Sequence, residues 1–419
     1  MIKDCLEVFE KKLLEEGIEF ILEDYRLSDS AYIIVNSDGS YNVFIVNENL
    51  YVNSEEYKNI VQKDYLSKTV SSNKSIKSKR IMSNSYLSFI TKKKFIDVLG
   101  KDIDEYFNVF ITPEVKYNSK YEKDIISNWH IDSDKVNNNK VWIKNNLIDI
   151  SKELLLGPEV YIKIFFEEDR DEYKLENEKY LILNVFNSNE YCNIIDNEIL
   201  GVPNNNLTLN SKKPFLLNRT RKNKLPFLLT YEDAYLEKLF FDYLEIQYRK
   251  GNNIVYINEN EIIPVKNDTA PEGFSGYMLI IGLGKTGAEI LNCDMLVGYQ
   301  SNIEIEFNDT LNRKTYILNT LDMLENRIDK IFFNGYLKNN YFNESINRND
   351  SLSQVQSREL NNIRDAIFRL IYLNSKTAFK SKFKRSFDNI IKDTYKTNNN
   401  SLLYKQQCNL MSNLEAYFG

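Results

Sequence analysis

Apolar positions recur along this chain with two periods, and the change between them divides it. Ile2, Leu6, Phe9 and Leu13 stand at helical spacing ahead of Gly17, which predicts an opening amphipathic helix with a glycine stop. The runs IEFILEDY (18–25) and SAYIIVNSDGSYNVFIV (30–46) read as strands, the second a hairpin turning through Asp38-Gly39. Two β-rich runs around a charged connection at 157–186 predict another hairpin. Next comes a clear helix: Thr230 and Asp233 resemble a capping box, Leu236, Leu239, Phe240, Tyr243 and Leu244 form one face, and Gly251 ends it. Residues 254–309 return to strand-like runs, with NIVYI, GYMLIIG and IEIEF the plainest. Beyond Asp309 Pro is absent, Gly is rare, and apolar residues take helical spacing at 311–333, 352–373, 379–395 and 402–417. The expectation is an α+β fold: a mixed α/β body with antiparallel hairpins over 1–309, then an all-α helical bundle over 310–419.

Length and composition change this picture little. The 419 residues hold enough apolar and aromatic side chains to fill proper cores. No run reaches the length of a membrane span, and charges interrupt what would be the apolar core of a signal peptide in the first residues, so a cytoplasmic protein is expected. Cys5, Cys192, Cys293 and Cys408 are far apart without a CxxC pair, and His130 is the single histidine. Neither a zinc site nor a disulfide framework is suggested; free thiols in a reducing compartment fit best.

Charge changes it more. The net charge is −6, but the bases are segregated: residues 65–96 hold eight Lys/Arg and no acid, 212–224 hold six and no acid, and 345–397 hold eleven bases against five acids. An acidic body with three basic segments binds a polyanion locally, whereas solvated charged faces would give the same run of letters. Within the first segment, residues 67–88 carry eight serines among the lysines, which predicts a mobile surface loop or an exposed helix.

Catalytic constellations are weak. Gly282, Gly284 and Gly287 satisfy GxGxxG, yet β-rich sequence follows where a dinucleotide site needs a helix, and Leu279 stands where a P-loop needs its first glycine. A hairpin turn is the simpler reading. His130 beside Trp129 has no nucleophile motif near it and reads as structural or surface. Glu167, Glu168, Asp169 and Asp171 lack metal-site spacing and read as a solvated turn. No acid, base and electrophile assemble, so the expectation is a protein that is not an enzyme, with no cofactor and no metal.

The central basic segment is better founded. Lys212, Lys213, Arg219, Arg221, Lys222 and Lys224 are bracketed by Pro-Phe-Leu-Leu at 214–217 and again at 226–229, so buried Phe and Leu can pin both ends. A pinned cationic loop suits phosphate. Asn204, Asn205, Asn206 and Asn210 present amides to base edges or build turns. In the third helix of the bundle, Lys380, Lys384 and Arg385 lie within about a turn and predict a basic ridge, joined by Lys376, Lys382, Lys392 and Lys396. Phe379, Phe383 and Phe387 on that helix are either a core stripe or, if exposed, stacking platforms.

The residues from Gly201 to Tyr243 go beyond generic. The order Gly-x-Pro-Asn-Asn-Asn, Asn-Ser-Lys-Lys-Pro-Phe-Leu, Arg-Thr-Arg-Lys, Pro-Phe-Leu, then Lys-Leu-Phe-Phe-Asp-Tyr-Leu in the helix, resembles the large subunit of type I-B CRISPR Cascade complexes, the Csh-type family. Gly-Pro-Glu-Val-Tyr-Ile-Lys-Ile from Gly157 is similar to the same family, so the resemblance covers 157–251 well and the rest only in general character. It implies a non-catalytic subunit of a crRNA-guided DNA surveillance complex that helps recognise the protospacer-adjacent motif, supports duplex opening, and lays its C-terminal bundle along the displaced strand. The implied partners are crRNA, target double-stranded DNA and the displaced single strand, the other Cascade subunits and a recruited helicase-nuclease, with no membrane. On this resemblance the six central bases face phosphates of DNA or of the crRNA handle, and Lys380, Lys384 and Arg385 face the non-target strand. The chain departs from the family in a shorter bundle, which stops at Gly419 soon after its fourth helical segment. A stand-alone RNA-binding or adaptor protein, and a nucleotide-dependent enzyme using the Gly282–Gly287 turn, are the alternatives from other classes.

Overall fold

The computed structural model describes residues 2–46, 49–52, 54–186, 191–202, 228–284, 287–343, 352–398 and 401–419. It is an α+β protein with a mixed N-terminal α/β region and a C-terminal helical bundle. Its contacts divide it into two units: Phe9–Lys250 with Leu283–Glu289, and Gly251–Gly282 with Ile290–Gly419 and Met1–Val8. No helix among the described residues is long and apolar enough to cross a membrane.

Helix α1 (Ile2–Glu16) stops at Gly17, which takes φ of +73°, a value that costs glycine little. The expected strand over 18–25 is instead a single turn of helix, α2 (Glu19–Leu22), with Ile21 and Leu22 buried. A run this short has no period of its own, so packing decides: Phe20 stacks on Tyr243 at 5.0 Å and meets Phe9 at 5.9 Å. Strands β1 (Ser30–Val35) and β2 (Tyr41–Ile45) form the expected antiparallel hairpin. At its turn Gly39 has φ of +85°, and Asp38 Oδ1 accepts hydrogen bonds from the Ser40 N–H and hydroxyl. Helix α3 (Glu55–Leu66), strand β3 (Ser88–Lys92) and helices α4 (Gly100–Ile111), α5 (Lys120–Ile126) and α6 (Ser133–Glu153) lead to strand β4 (Tyr161–Phe166). The sheet runs β2-β1-β4-β3, with β4 parallel to β1 and antiparallel to β3. Buried from Ile162 to Phe166, β4 is apolar on both faces. Its one charged residue, Lys163, reaches the buried Asp64 carboxylate at 2.8 Å.

The hairpin expected over 157–186 does not form. Only its first half is a strand; the second half is helix α7 (Arg170–Asn184), capped by the Asp169 side chain accepting the Glu172 N–H at 2.9 Å. The run YLILNVF suggests β structure by composition, but Tyr173, Asn177, Tyr180, Leu181 and Asn184 are buried at helical spacing. Glu167, Asp169 and Asp171 are exposed at the head of this helix, as a solvated turn requires, while Glu168 is half-buried. Glu167 accepts the Ser37 N–H at 2.9 Å, Glu168 pairs with Lys135 at 2.7 Å, and Asp171 pairs with Lys174 at 3.7 Å. Strands β5 (Asn193–Ile195), β6 (Glu198–Gly201) and β7 (Leu229–Thr230) form a small antiparallel sheet that runs straight into helix α8 (Tyr231–Lys250).

In the second unit β8 (Ile254–Ile257), β9 (Ile262–Val265), β10 (Gly276–Gly284) and β11 (Gly287–Leu296) form a sheet in the order β11-β10-β8-β9. Strands β12 (Asn302–Asp309) and β13 (Lys314–Thr320) pair antiparallel, so the first of the four helices expected beyond Asp309 is a strand until Thr320. Its remainder is α9 (Leu321–Phe333), capped by Thr320; α10 (Gln354–Leu373), α11 (Lys376–Asn398) and α12 (Leu402–Phe418) follow as expected. One core joins strand residues Tyr256, Met278, Ile305 and Phe307 to Phe332, Ile367, Phe387 and Leu414 of the helices.

Candidate nucleic-acid interface

Two paired strands flank the central basic segment. Gly201 of β6 pairs with Leu229 of β7, so the chain leaves this small sheet at 202 and returns at 228 side by side. Gly201 cannot be another residue without movement, because a Cβ there would fall 2.5 Å from the buried Phe186 ring. On the return side Thr230 accepts the Asp233 N–H at 3.1 Å and starts α8, whose Ala234, Leu239, Phe240, Tyr243 and Leu244 are buried. Lys212, Lys213, Arg219, Arg221, Lys222, Lys224, Asn204, Asn205, Asn206 and Asn210 lie outside the described residues, as do the first Pro-Phe-Leu-Leu and Pro226-Phe227 of the second.

The basic run over 65–96 is spent internally. Lys68 pairs with Asp64 at 3.6 Å, Lys77 with Glu105 at 3.6 Å, Arg80 with Asp102 at 3.2 Å, and Lys92 and Lys94 share Glu159 at 2.9 and 2.5 Å. Lys74 and Lys93 donate to the carbonyls of Phe186 and Leu154, and Lys79 to the Asn73 side chain. All eight bases thus have protein partners, and the mobile loop expected over 67–88 is built into the body. Buried Asn84 clamps it, donating from Nδ2 to the carbonyls of Leu66 and Lys68, while Ile76, Ile81 and Leu87 are buried. Of its eight serines, Ser67, Ser83, Ser85 and Ser88 are buried.

Helix α11 differs. Phe379, Phe383 and Phe387 are at most 3% exposed, so they form a core stripe and offer no surface for stacking. The opposite side of the helix is cationic. At about 100° per residue, Lys380 and Lys384 share one line while Arg385 stands a quarter-turn away, so the expected ridge of three splits. Lys384 is bound to Glu415 of α12 at 2.7 Å, which raises its pKa. Arg385 instead lines up with Lys382, Lys392 and Lys396, a stripe about 21 Å long. Lys380, Lys382, Arg385, Lys392 and Lys396 are exposed and form no ion pair among the described residues. Sequence spacing alone contained this stripe, since it needs only the helical period; which lysine Glu415 neutralises required the packing of α12.

The glycine pattern at 282–287 joins β10 to β11, neighbouring strands, with 285 and 286 outside the described residues. A strand follows in place of the helix that would hold a pyrophosphate, and the Glu289 carboxylate lies against Gly284 where a phosphate would need room. His130 is exposed and contributes its carbonyl to Lys179 at 3.4 Å. No family model, curated protein or solved structure matches the chain.

Proposed function

We propose that the chain is the non-catalytic large subunit of a crRNA-guided DNA surveillance complex of the type I-B Cascade class, acting in cytoplasmic antiviral defence. The observation that carries this reading is the residue order from Gly201 to Tyr243, which resembles that family and coincides with the densest acid-free basic segment of the chain. The paired strands and the capped α8 that flank the segment in sequence support it, since phosphate contacts position a protein on a nucleic-acid backbone best from a structured support. In such a complex base pairing reads the target and the protein reads a short motif and duplex shape. The six central bases contact phosphates of the DNA or the crRNA handle, and the cationic side of α11 follows the displaced strand. The other Cascade subunits, crRNA, target DNA and a helicase-nuclease are the partners.

Co-purification tests the reading. Expressed with its genomic neighbours, the chain should come down with a short RNA and repeated subunits, and replacing Lys212, Lys213, Arg219, Arg221, Lys222 and Lys224 by Gln should weaken target binding at physiological salt. Unchanged target binding would sink the assignment of the loop. Tight RNA binding by the chain alone, with no partner subunits, would replace the whole reading with that of a stand-alone RNA-binding protein, for which the exposed α11 stripe would serve equally well.

A further inference from the structure

Between α4, α6 and α7 the Phe9–Lys250 unit holds a recess of about 40 Å³. At roughly 10–15 Å³ of such space for each water and ~30 Å³ of liquid per water, it has the capacity of about three waters, close to one six-membered ring and too little for a fused pair. Its walls are aromatic: Tyr86, Phe110, Tyr117 and Trp129 line it, with Tyr86 edge-on to Phe110 at 6.0 Å. Set into the same wall is an ion pair, Lys179 Nζ to Glu176 Oε1 at 2.5 Å, with Glu176 only 6% exposed.

A purely apolar occupant would cover this pair and leave its remaining hydrogen-bonding capacity unmet. A ring edge that carries a donor beside an acceptor would satisfy it, because the carboxylate accepts and the ammonium donates. Pyrimidine bases have that edge, N4–H beside N3 in cytosine and N3–H beside O4 in uracil and thymine. Lysines flank the recess in sequence: Lys74 and Lys77 lie either side of Ser75 and the lining Ile76, and Lys116 precedes the lining Tyr117. Lys116 donates to the Ser75 carbonyl at 2.6 Å and Lys74 to the Phe186 carbonyl at 2.7 Å. Lys116 Nζ lies 5.0 Å from the centre of the lining Tyr117 ring; burial pushes its pKa down to about 7, and a phosphate beside it would restore its charge.

We propose that this recess binds one pyrimidine nucleotide, with the ring between the aromatic walls, the ring edge on Glu176 and Lys179, and the phosphate on Lys116. The nucleotide is either free or an unstacked position of a strand, and the proposal stands on the recess alone, whether or not the chain belongs to a surveillance complex.

The test titrates the purified full chain with CMP, UMP, cytidine and AMP, and with short oligo-dC and oligo-dA, by saturation-transfer NMR. Trp129→Leu and Lys116→Met are measured alongside, each checked for folding by circular dichroism. CMP and UMP should bind, with AMP weaker by about tenfold or more, and Trp129→Leu should cost about tenfold, the size of one lost base–aromatic stack. Cytidine should bind more weakly than CMP, and Lys116→Met should shrink that difference. Oligo-dC binding tighter than CMP assigns the site to a strand; oligo-dC binding no tighter assigns it to the free nucleotide. No binding of CMP or UMP by the unaltered chain, or AMP binding equal to CMP, overturns the proposal. So does stronger binding of a tyrosine-containing peptide than of any nucleotide.

Discussion

Asp64 and Lys163 show what a single buried charge demands of its neighbours. The Asp64 carboxylate takes Lys163 at 2.8 Å on one oxygen and the Tyr25 hydroxyl at 2.7 Å on the other, and both charged side chains are almost fully buried. Burial raises the Asp64 pKa while Lys163 pulls it back down. Asp64→Asn keeps the tyrosine contact but strands the lysine, and should lower the stability of the chain by about 3–5 kcal/mol in urea unfolding; replacing both partners by Leu and Met should recover much of that loss. Glu159 is the surface counterpart. Its bonds from Lys94 and Lys92 hold its carboxyl at about 2, below the ordinary 4.5. A depressed carboxyl stabilises the fold above its unfolded pKa and loses that contribution as pH falls through the folded value. The difference in melting temperature between the unaltered chain and Glu159→Gln should therefore be full above pH 4.5 and vanish toward pH 2. No residue in the sequence announces either arrangement, because Asp64 and Lys163 are ninety-nine positions apart.

At the scale of elements, legibility followed length and caps. Helices α8, α10, α11 and α12 were readable because each repeats its apolar period over at least 17 residues, long enough for 3.6 to separate from 2. The misread elements are those where composition and period disagree. Helix α7 ends in β-rich letters, β13 sits inside a leucine-bearing polar run, and α2 is one turn long. In α11 the apolar stripe is the better understood half: Phe387 stacks on Phe332 at 4.0 Å with no solvent exposure. Phe387→Ala should cost about 3–5 kcal/mol by leaving a cavity that its aromatic neighbours cannot fill, read as a lower denaturant midpoint with an unchanged slope.

For the whole molecule, the charge map is redistributed by folding. Of the three basic runs in the sequence, the first pairs with acids and carbonyls, its acids all lying outside the run, the second lies in sequence between the paired strands β6 and β7, and the third lines one side of α11. If Lys382, Arg385, Lys392 and Lys396 all engage one single strand, their replacement by Gln should reduce the slope of log K against log salt by about 3, whereas Lys384→Gln, already neutralised by Glu415, should change it little. A filter-binding series with single-stranded DNA over several salt concentrations reads both. The sequence by itself determined the α+β class, the β1–β2 hairpin, the glycine turn as a strand connection, and the long helices, because these rest on local period and turn chemistry. It also gathers the six central bases into one acid-free run. Only the tertiary structure decided which cations remain available, that strands after 254 and helices after 321 share one core, and that Trp129 meets Glu176 and Lys179 around a recess. Those outcomes depend on partners distant in the chain, whose pairing no local pattern encodes.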